Sequence, residues 1–522
     1  METEYDVLIV GYGVLGNVAA LLLANLGMSV AVVEKKELDD LLLAKSARID
    51  DEVMLIFEQL GLMDELKEVL YPLKGTQIVD KQDRVLLELN QNRHSQFAPV
   101  MGFYQPDLQH ILQQATQKHS GIRVYSGCEV ETFEEVDDDK IDVYIATTGK
   151  QNFTVLQTSF MLVCNGQYSR IADFLDIDIN DFNYHSSVLC VDTINRQKTA
   201  NSQSYAQTIY DAEFPVTRIT KDQQRQRWEF QIEAETIQAK QTPEKVRNLL
   251  AELSTLDLEV VSAFVYNFDS KILENWRYNR VLIAGDAAHI MPPYLGMGLS
   301  AGIKDVYNLT WKINLIRQGT LALKVLDTYQ KERLPDVQHL IKLNLWIKRL
   351  FQSSKLRWIK GFIPVIPKWF LKRKLDSSSH IKSGIIATKT KGAGRVIVSP
   401  KVATQKGEVI SFNKALGTQF VLLAISSNPV DALRPNQLEY LALLGTQFIQ
   451  LTTAKKKFVQ DNRYAQNLYD KEGKIQKWMK EHKAKFVLIR PDRIVYDFCS
   501  NPETLNNSIK KLKKTLRIST NV

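Results

Sequence analysis

The N-terminal part of the chain alternates apolar runs and glycines in the pattern of a strand, a helix and a second strand. The run Asp6–Val10 is apolar after its first residue and is followed by glycine, which is typical of a buried parallel strand. The Ala- and Leu-rich segment Val18–Leu26 predicts a helix that Gly27 ends. Ser29–Val33 predicts the second strand, which Glu34 closes. The pattern therefore predicts the start of a doubly wound α/β sheet.

The turn before the predicted helix has the spacing Gly-x-Gly-x-x-Gly. Gly11 would permit the tight turn, Gly13 would let phosphates approach the backbone, and Gly16 would let the helix pack closely on the strand. The helix N-terminus would face the phosphates, and the Glu34 carboxylate would bond ribose hydroxyls. We therefore predict a dinucleotide site rather than a plain turn. An acid at Glu34 would repel a 2′-phosphate, so the site favours FAD or NAD over NADP.

A second buried strand followed by a Gly-Asp turn is predicted from Arg280. The motif residues that follow it are Gly285, Asp286, Ala287, Ala288, His289, Pro292, Pro293, Gly296, Met297, Gly298 and Leu299. From Ser300 the pattern becomes helical, and the helix carries Asp305, Asn308, Leu309, Trp311 and Lys312. An ordinary strand–loop–helix crossover shares this outline, but it does not require these residue types in this order.

This order of motifs resembles the second FAD fingerprint of the FAD-dependent aromatic-ring hydroxylases, the para-hydroxybenzoate hydroxylase type of flavin monooxygenase. Phe103–Pro106 and Ile49–Glu52 extend the resemblance. It implies that Asp286 bonds the ribityl chain, that Gln105 contacts the flavin, and that the helix after Gly298 points its N-terminus at the flavin pyrimidine edge. Besides the glycine-rich turn and Glu34, the residues expected at the cofactor are Lys45, Gln105, Gly285, Asp286, Pro293, Gly296, Gly298 and Leu299.

The resemblance also implies a reaction. In the family NADH or NADPH reduces FAD, O2 adds at the flavin C4a, and the resulting hydroperoxide hydroxylates an electron-rich aromatic ring. We therefore expect an FAD-dependent monooxygenase that acts on a small phenolic or other aromatic substrate. No motif identifies a catalytic side chain or a metal ligand. The alternative is a flavin-dependent oxidoreductase that does not insert oxygen, or one that a separate partner reduces.

Three motifs depart from the family pattern. The family has Cys-Asp-Gly-x-x-Ser-x-Val-Arg where this chain has Asn165 after Cys164 and ends in Ala172. Lys45 stands in place of the family's arginine, and Met297 in place of its Gly-Gln-Gly glutamine. Asparagine keeps the hydrogen-bonding geometry of aspartate without its charge, and lysine lacks arginine's forked donors. We expect FAD binding to survive these changes, and NAD(P)H handling to be what they affect.

The C-terminal region resembles the thioredoxin-like tail of one branch of the family, which includes the 3-(3-hydroxyphenyl)propionate hydroxylases. The matching segments are Gly417–Phe420, Leu444–Phe448 and Leu488–Arg493. The tail contains no Cys-x-x-Cys pair, so thiol exchange is excluded. We expect it to serve packing or subunit contacts, as in a homodimer, and truncation before Ile385 to leave a soluble flavoprotein.

The predicted fold is a Rossmann-like FAD-binding α/β domain with an inserted β-sheet substrate domain and a C-terminal thioredoxin-like α/β domain. The expected boundaries are 1–73, 103–174 and 276–333 for the FAD-binding domain, 74–102 and 175–275 for the substrate sheet, 334–384 for a basic helical linker, and 385–522 for the tail.

Several side chains carry two interpretations. Trp228, Phe230 and Ile232 alternate with polar residues, and they are either core or the roof of a substrate pocket. His289 follows the Gly-Asp motif and is more often structural than a general base. Cys164 and Cys190 lie in apolar strands, where inert buried thiols are expected.

Composition and charge exclude other classes. The chain of 522 residues carries a net charge of +8, yet ten Lys or Arg lie between Lys342 and Lys374 without an acid, and five more lie in Lys510–Arg517. The remainder is therefore acidic, which disfavours nucleic-acid binding. The basic stretch, with Trp346, Lys348, Arg349, Trp358, Lys360 and Trp369, is either a helix packed on the globule or a peripheral membrane contact. The uncharged run Val7–Val33 has four glycines and an acidic leader, so we expect a cytoplasmic protein rather than a membrane span or signal peptide.

Overall fold

The structure is a computed structural model that describes residues 3–37, 45–89, 95–147, 153–196, 205–209, 216–221, 225–232, 243–254, 256–352, 378–452 and 465–516. The basic stretch is described up to residue 352. Its continuation through 374, with Trp358, Lys360 and Trp369, lies outside the described residues.

The first sheet is the predicted α/β sheet. Its strands Thr3–Val10 and Val30–Glu34 pair in parallel, and Val7, Leu8 and Ile9 are fully shielded from solvent. Burial on both faces explains why these strands are apolar at consecutive positions rather than at alternate ones. In the described part of the chain the strand order is Arg277–Tyr278, Val281–Ile283, Phe153–Val163, Thr3–Val10, Val30–Glu34 and Ile122–Ser126, with Lys140–Thr147 paired to Phe153–Val163 and Cys128–Asp137 paired to Lys140–Thr147.

The helices next to this sheet begin earlier than the apolar pattern predicts. The helix Val14–Ala24 begins four residues before Val18, and the helix Gly298–Arg317 begins two residues before Ser300. Glycines lie in or next to the first turn of both helices and carry no hydrophobic signal. The other helices of this part are Asp51–Gln59, Met63–Leu66, Gln105–Lys118, Ile171–Phe174 and Asp327–Gln352, with 3-10 turns at Gly285–Ala287, Pro293–Leu295 and Leu323–Leu326.

The second sheet is antiparallel along most of its length and lies beside the first. Within the described residues its strand order is His289–Ile290, Leu258–Leu273, Ile179–Asn195, Arg225–Ile232, Val216–Lys221, Ala206–Ile209, Thr76–Val79 and Val85–Leu89. The helix Pro243–Leu253 covers one face of this sheet through Val246 and Leu250. A small sheet of Arg48–Asp50, Val100–Gly102 and Tyr71–Leu73 completes this part of the molecule.

The third sheet forms the C-terminal domain. Among the described residues its strand order is Val409–Ser411, Lys401–Thr404, Ala465–Tyr469, Gln447–Thr452, Val421–Ile425, Phe486–Ile489 and Val495–Cys499. Val421–Ile425 pairs in parallel with Gln447–Thr452 and antiparallel with Phe486–Ile489, which is the thioredoxin-like order. The helices of this domain are Phe412–Ala415, Pro435–Leu443, Lys474–Glu481 and Pro502–Leu516, with a 3-10 turn at Pro429–Ala432.

The C-terminal domain packs on the first domain of its own chain. Trp311 of the helix Gly298–Arg317 is 3% exposed and meets Phe420 edge-on, with ring centroids 5.4 Å apart. Leu315 and Leu321 join the same apolar cluster. Truncation before Ile385, which we expect to leave a soluble flavoprotein with weakened assembly, would expose this apolar surface.

The helix Asp327–Gln352 runs without a break through residue 333, the expected end of the FAD-binding domain. Its side chains Leu343 and Ile347 pack on Tyr184 and Phe268 of the second sheet. The described part of the basic stretch is thus a helix packed on the globule. Within the described residues, no helix is both long enough and apolar enough to cross a bilayer.

Candidate active site

The three glycines of the first turn have different surroundings. Gly11 has a φ of 107°, and a Cβ there would lie 2.8 Å from the Asn165 Cα and from the Cys164 carbonyl oxygen. A Cβ on Gly16 would lie 1.9 Å from the Gly11 carbonyl oxygen, which explains the close packing of helix and strand. A Cβ on Gly13 would meet nothing within 4 Å. The open side of the turn is therefore at Gly13, beside the N-terminus of the helix.

Glu34 lies next to this turn. Its Oε2 accepts a hydrogen bond from the Tyr12 backbone N–H at 2.8 Å, and its Oε1 accepts one from the Lys36 N–H at 3.1 Å. The side chain is 8% exposed. Carboxylate oxygens can accept further bonds, so the arrangement fits the expected contact with ribose hydroxyls. Gly13 precedes the helix as its N-cap and provides no side-chain cap, so the first helical N–H groups remain available to an anion.

The Gly-Asp turn is held by a buried network. The Asp305 carboxylate accepts hydrogen bonds from the Gly285 N–H at 3.2 Å and from Arg333 Nε at 2.8 Å, and it lies 2.6 Å from His289 Nε2. Although burial acts to raise it, His289 and Arg333 hold the pKa of Asp305 below its usual value. His289 is 1% exposed. The histidine is therefore structural: it fixes the turn that presents Asp286.

A cleft lies between the first domain and the second sheet, where the Gly-Asp turn and the Gly296–Leu299 loop meet that sheet. The Asp286 side chain is exposed to this cleft. The protein around it still displaces much of its water, and this desolvation raises the pKa of its carboxyl, whereas the charges of His289 and Lys45 act to lower that pKa. The lining includes the predicted residues Lys45, Asp286, Pro293, Gly296, Gly298 and Leu299, together with Arg48, Gln167, Glu229, Tyr266, Phe268 and Met291.

Gln105 fixes one edge of this cleft indirectly. It begins the helix Gln105–Lys118, and its Oε1 accepts a hydrogen bond from the Ser46 N–H at 2.7 Å. Ser46 and its neighbour Lys45 line the cleft. Met297 precedes the helix Gly298–Arg317 and gives it no side-chain cap, so this second helix N-terminus also faces the cleft with free N–H groups.

The alternating strand Arg225–Ile232 shows which of its faces meets the cleft. Trp228, Phe230 and Ile232 are buried against the helix Pro243–Leu253 on the far side of the second sheet. These aromatics are therefore core, as the first of the two interpretations expected. The roof of the cleft is the opposite face, with Glu229 as one of its residues.

Arg48 is the residue that sequence reasoning missed. It is 6% exposed, and its Nη2 donates to the Tyr294 carbonyl at 3.0 Å. A Cβ on Gly296, whose φ is 60°, would lie 2.2 Å from Arg48 Nε, so the glycine makes room for this side chain. Burial lowers the pKa of Arg48, and Glu229 raises it. No motif marks position 48, and its contacts lie about 250 residues away in the chain.

Cys164 and Cys190 are buried free thiols, as the sequence predicted. All four cysteines of the chain are free thiols. Burial raises the pKa of Cys190 and of Cys499 to about 12, and raises that of Cys164 further. Nucleophilic chemistry at these three positions is therefore disfavoured.

A buried ion network joins the helix Gly298–Arg317 to the C-terminal domain. Glu332 lies at its centre and accepts hydrogen bonds from both terminal nitrogens of Arg490, at 3.0 and 2.8 Å. Lys312 Nζ and Asn308 Nδ2 also donate to Glu332, at 3.1 and 2.7 Å. The motif residues Asn308 and Lys312 thus serve domain packing.

Comparison with known proteins identifies both parts of the chain. The family model described as "FAD binding domain" matches residues 4–344, and the model described as "HcaD C-terminal domain" matches residues 394–515. A 3-(3-hydroxy-phenyl)propionate/3-hydroxycinnamic acid hydroxylase of Shigella sonnei (strain Ss046) is 25% identical, covering 98% of this chain and 95% of that protein.

Two solved structures share the fold over nearly all of both chains. The flavin-dependent monooxygenase PieE, in complex with FAD and substrate, superposes with a TM-score of 0.79 at 15% identity, covering 98% of this chain and 99% of the other. Aklavinone-11 hydroxylase, in a ternary complex with FAD and aklavinone, gives a TM-score of 0.75 at 20% identity with the same coverage.

Proposed function

The chain belongs to the FAD-binding family that contains the flavin-dependent aromatic hydroxylases, and on that premise we propose that it hydroxylates a phenolic substrate with O2 and with NADH or NADPH as reductant. The observation that carries the proposal is the cleft where the Gly-Asp turn, the Gly296–Leu299 loop and the aromatic face of the second sheet meet. The substrate class comes from the full-length similarity to a hydroxylase of a phenolic acid.

FAD fits the residues present. The ADP part would lie on the open side of Gly13, with Gly11 and Gly16 shaping the turn and Glu34 at the ribose. The remaining contacts that we propose are made by Lys45, Gln105, Gly285, Asp286, Pro293, Gly296, Gly298 and Leu299. Bound FAD would supply the redox chemistry and the activation of oxygen.

The chain's own residues orient the flavin and shield it. The free N–H groups at the start of the helix Gly298–Arg317 provide positive potential at one edge of the cleft. The second sheet closes the other side with Tyr266 and Phe268, which exclude water from the reacting region. The expected segments 1–73, 103–174 and 276–333 for the FAD-binding domain are part of the proposal.

A flavoenzyme that does not insert oxygen, or one reduced by a partner, is the second candidate. The observation that favours it is Asn165, whose Cα lies against Gly11 and which lacks the charge of the family's aspartate. Homodimer formation and a membrane contact through 342–374 also stay predictions.

The test combines cofactor retention with product analysis. We expect the purified protein to retain FAD and to consume NADH or NADPH faster in the presence of phenolic acids. We expect mass spectrometry to detect a product that carries one oxygen atom from ¹⁸O2. The matched control is Gly13→Val, which would fill the open side of the turn and abolish FAD retention. Consumption that yields hydrogen peroxide alone across the panel would overturn the hydroxylase, and absence of reduction by either nucleotide would favour the second candidate.

A further inference from the structure

Arg48 brings a positive charge into the wall of the cleft without a counter-ion in contact. Within the described residues its side chain makes one hydrogen bond, to the Tyr294 carbonyl, and no carboxylate oxygen lies within 4.0 Å of it. A guanidinium has five N–H donors. Arg48 lines the cleft, and the donors that the carbonyl leaves free are not fully shielded from solvent.

Glu229 brings a free acceptor to the same cleft from the second sheet. Its Oε1 accepts a hydrogen bond from Arg227 Nε at 3.0 Å, and its Oε2 has no hydrogen-bond partner among the described residues. Its side chain is 12% exposed. Glu229 acts electrostatically on Arg48 although the two groups are more than 4.0 Å apart. The lining of the cleft therefore includes a cationic donor and an anionic acceptor that are not in contact with each other.

We propose that Arg48 and Glu229 together bind the hydroxyl group of a phenolic substrate. The guanidinium donates to the phenol oxygen, and Glu229 Oε2 accepts the hydrogen bond from the phenol O–H. A hydroxyl is at once donor and acceptor, so a single phenol oxygen can accept from the guanidinium and donate to the carboxylate. Tyr266 and Phe268 provide the apolar wall for the ring. The inference rests on the proposed function and names the part of the substrate that this site reads.

Two other occupants fit the geometry less well. A carboxylate of the substrate would satisfy Arg48 but would be repelled by Glu229. The FAD pyrophosphate, which carries the permanent negative charge of the cofactor, is the second alternative for Arg48. We place it at the turn of Gly11, Gly13 and Gly16, and these residues do not line this cleft. A neutral hydroxyl satisfies both free groups without adding charge.

Arg48 and Glu229 would contribute more to the selectivity for a hydroxylated substrate than to its affinity. A site built to hydrogen-bond a hydroxyl discriminates strongly against the analogue that lacks it, because its own polar groups are then left unpaired. Arg48 and Glu229 also fix the orientation of the ring relative to the Gly296–Gly298 loop, which sets the ring position that reacts.

The test uses two ligands that differ by the hydroxyl alone, 3-(3-hydroxyphenyl)propionate and 3-phenylpropionate. Their dissociation constants are measured by calorimetry on FAD-loaded wild type, Arg48→Met and Glu229→Met. We expect the wild type to prefer the hydroxylated ligand by about 10- to 100-fold, and each variant to reduce this preference to less than about 3-fold. Arg48→Lys and Glu229→Gln, which keep a donor and an acceptor, should restore part of it. Arg225→Met, on the same strand as Glu229 and with a side chain 46% exposed, is the matched control and should keep the wild-type ratio.

Each of the following outcomes would contradict the proposal that Arg48 and Glu229 bind the substrate hydroxyl. Equal loss of both ligands in Arg48→Met would show that Arg48 binds the carboxylate. If Arg48→Met weakened the affinity for FAD and left the ratio of the two ligand dissociation constants unchanged, Arg48 would be assigned to flavin binding. A wild type without preference for the hydroxyl would remove the basis of the inference, and FAD retention and ¹⁸O2 incorporation, measured separately, decide the hydroxylase proposal on their own.

Discussion

Glu332→Gln should destabilise the protein in a way that depends on pH. Glu332 is fully buried and holds Arg490 of the C-terminal domain together with Lys312 and Asn308 of the helix Gly298–Arg317. The backbone N–H of Ile385 donates to it as well, at 2.7 Å. Glutamine keeps the shape of the side chain and removes its charge, so two buried cations lose their shared counter-ion.

The magnitude follows from the pKa. Burial acts to raise the pKa of Glu332, but Arg490 and Lys312 outweigh it and hold the value at about 2. Against an ordinary value of 4.5, this corresponds to about 3 kcal/mol of folding stability at neutral pH. Breaking a buried pair costs about 3–5 kcal/mol, which agrees. Because the folded pKa is lowered, the contribution is complete above pH 4.5 and is lost as the pH falls towards 2.

Lys312 shows the other side of the same network. Burial lowers its pKa to about 8, and Arg490 adds to this, while Glu332 acts to raise it. A lysine whose folded pKa lies below 10.5 adds stability as the pH rises from about 8 to 10.5. Stability measurements below pH 7 therefore report on the titration of Glu332 without a contribution from the titration of Lys312.

Urea unfolding followed by circular dichroism at pH 7 and at pH 3 measures the effect. We expect Glu332→Gln to be less stable than wild type by about 3 kcal/mol at pH 7, and this difference to fall to roughly half or less at pH 3. The exposed Glu252→Gln is the control and should stay within about 0.5 kcal/mol at both pH values. A difference that is absent at pH 7, or that does not shrink in acid, would refute the reasoning.

Three further predictions test other parts of the structure. Gly16→Ala should lower the melting temperature of the apoprotein, because its Cβ would clash with the Gly11 carbonyl oxygen. Gly13→Ala is the control and should leave the melting temperature unchanged, so equal melting temperatures of the two variants would contradict this prediction. A thiol reagent should label Cys128 quickly in the native protein and the other three cysteines on unfolding, and rapid labelling of a second thiol would show that the burial is wrong. Trp228→Ala should cost about 3–5 kcal/mol of unfolding free energy and leave the dissociation constant of FAD unchanged, so a weaker affinity for FAD would place that face at the cleft.

The elements that the sequence predicted well are those whose signal is local. The strand Thr3–Val10, the Gly-rich turn and the strand Val281–Ile283 are each set by consecutive apolar residues followed by glycine. The parallel pairing of Thr3–Val10 with Val30–Glu34 follows from the helix between them. Neither inference needs information from elsewhere in the chain.

Faces and partners could not be predicted in the same way. The alternation in Arg225–Ile232 shows that the strand has an apolar face, but which side meets the cleft depends on where the helix Pro243–Leu253 packs. His289 owes its structural role to Asp305, sixteen residues further along. Arg48 depends on the loop around Gly296, which reaches it from a distant segment. Such contacts depend on the tertiary fold, so a single sequence does not show them.

The helix Gly298–Arg317 explains how a tail without redox chemistry bears on the cleft. Its first residues line the cleft, its middle holds the Gly-Asp turn through Asp305, and its last turns pack into the C-terminal domain through Trp311. Because the helix is a single rigid element, its position at the cleft is fixed in part by contacts at its far end. The C-terminal domain therefore holds the far end of this helix, with Glu332 and Arg490 as the polar part of that contact. A substitution that loosens this contact would be transmitted to the cleft through the helix itself.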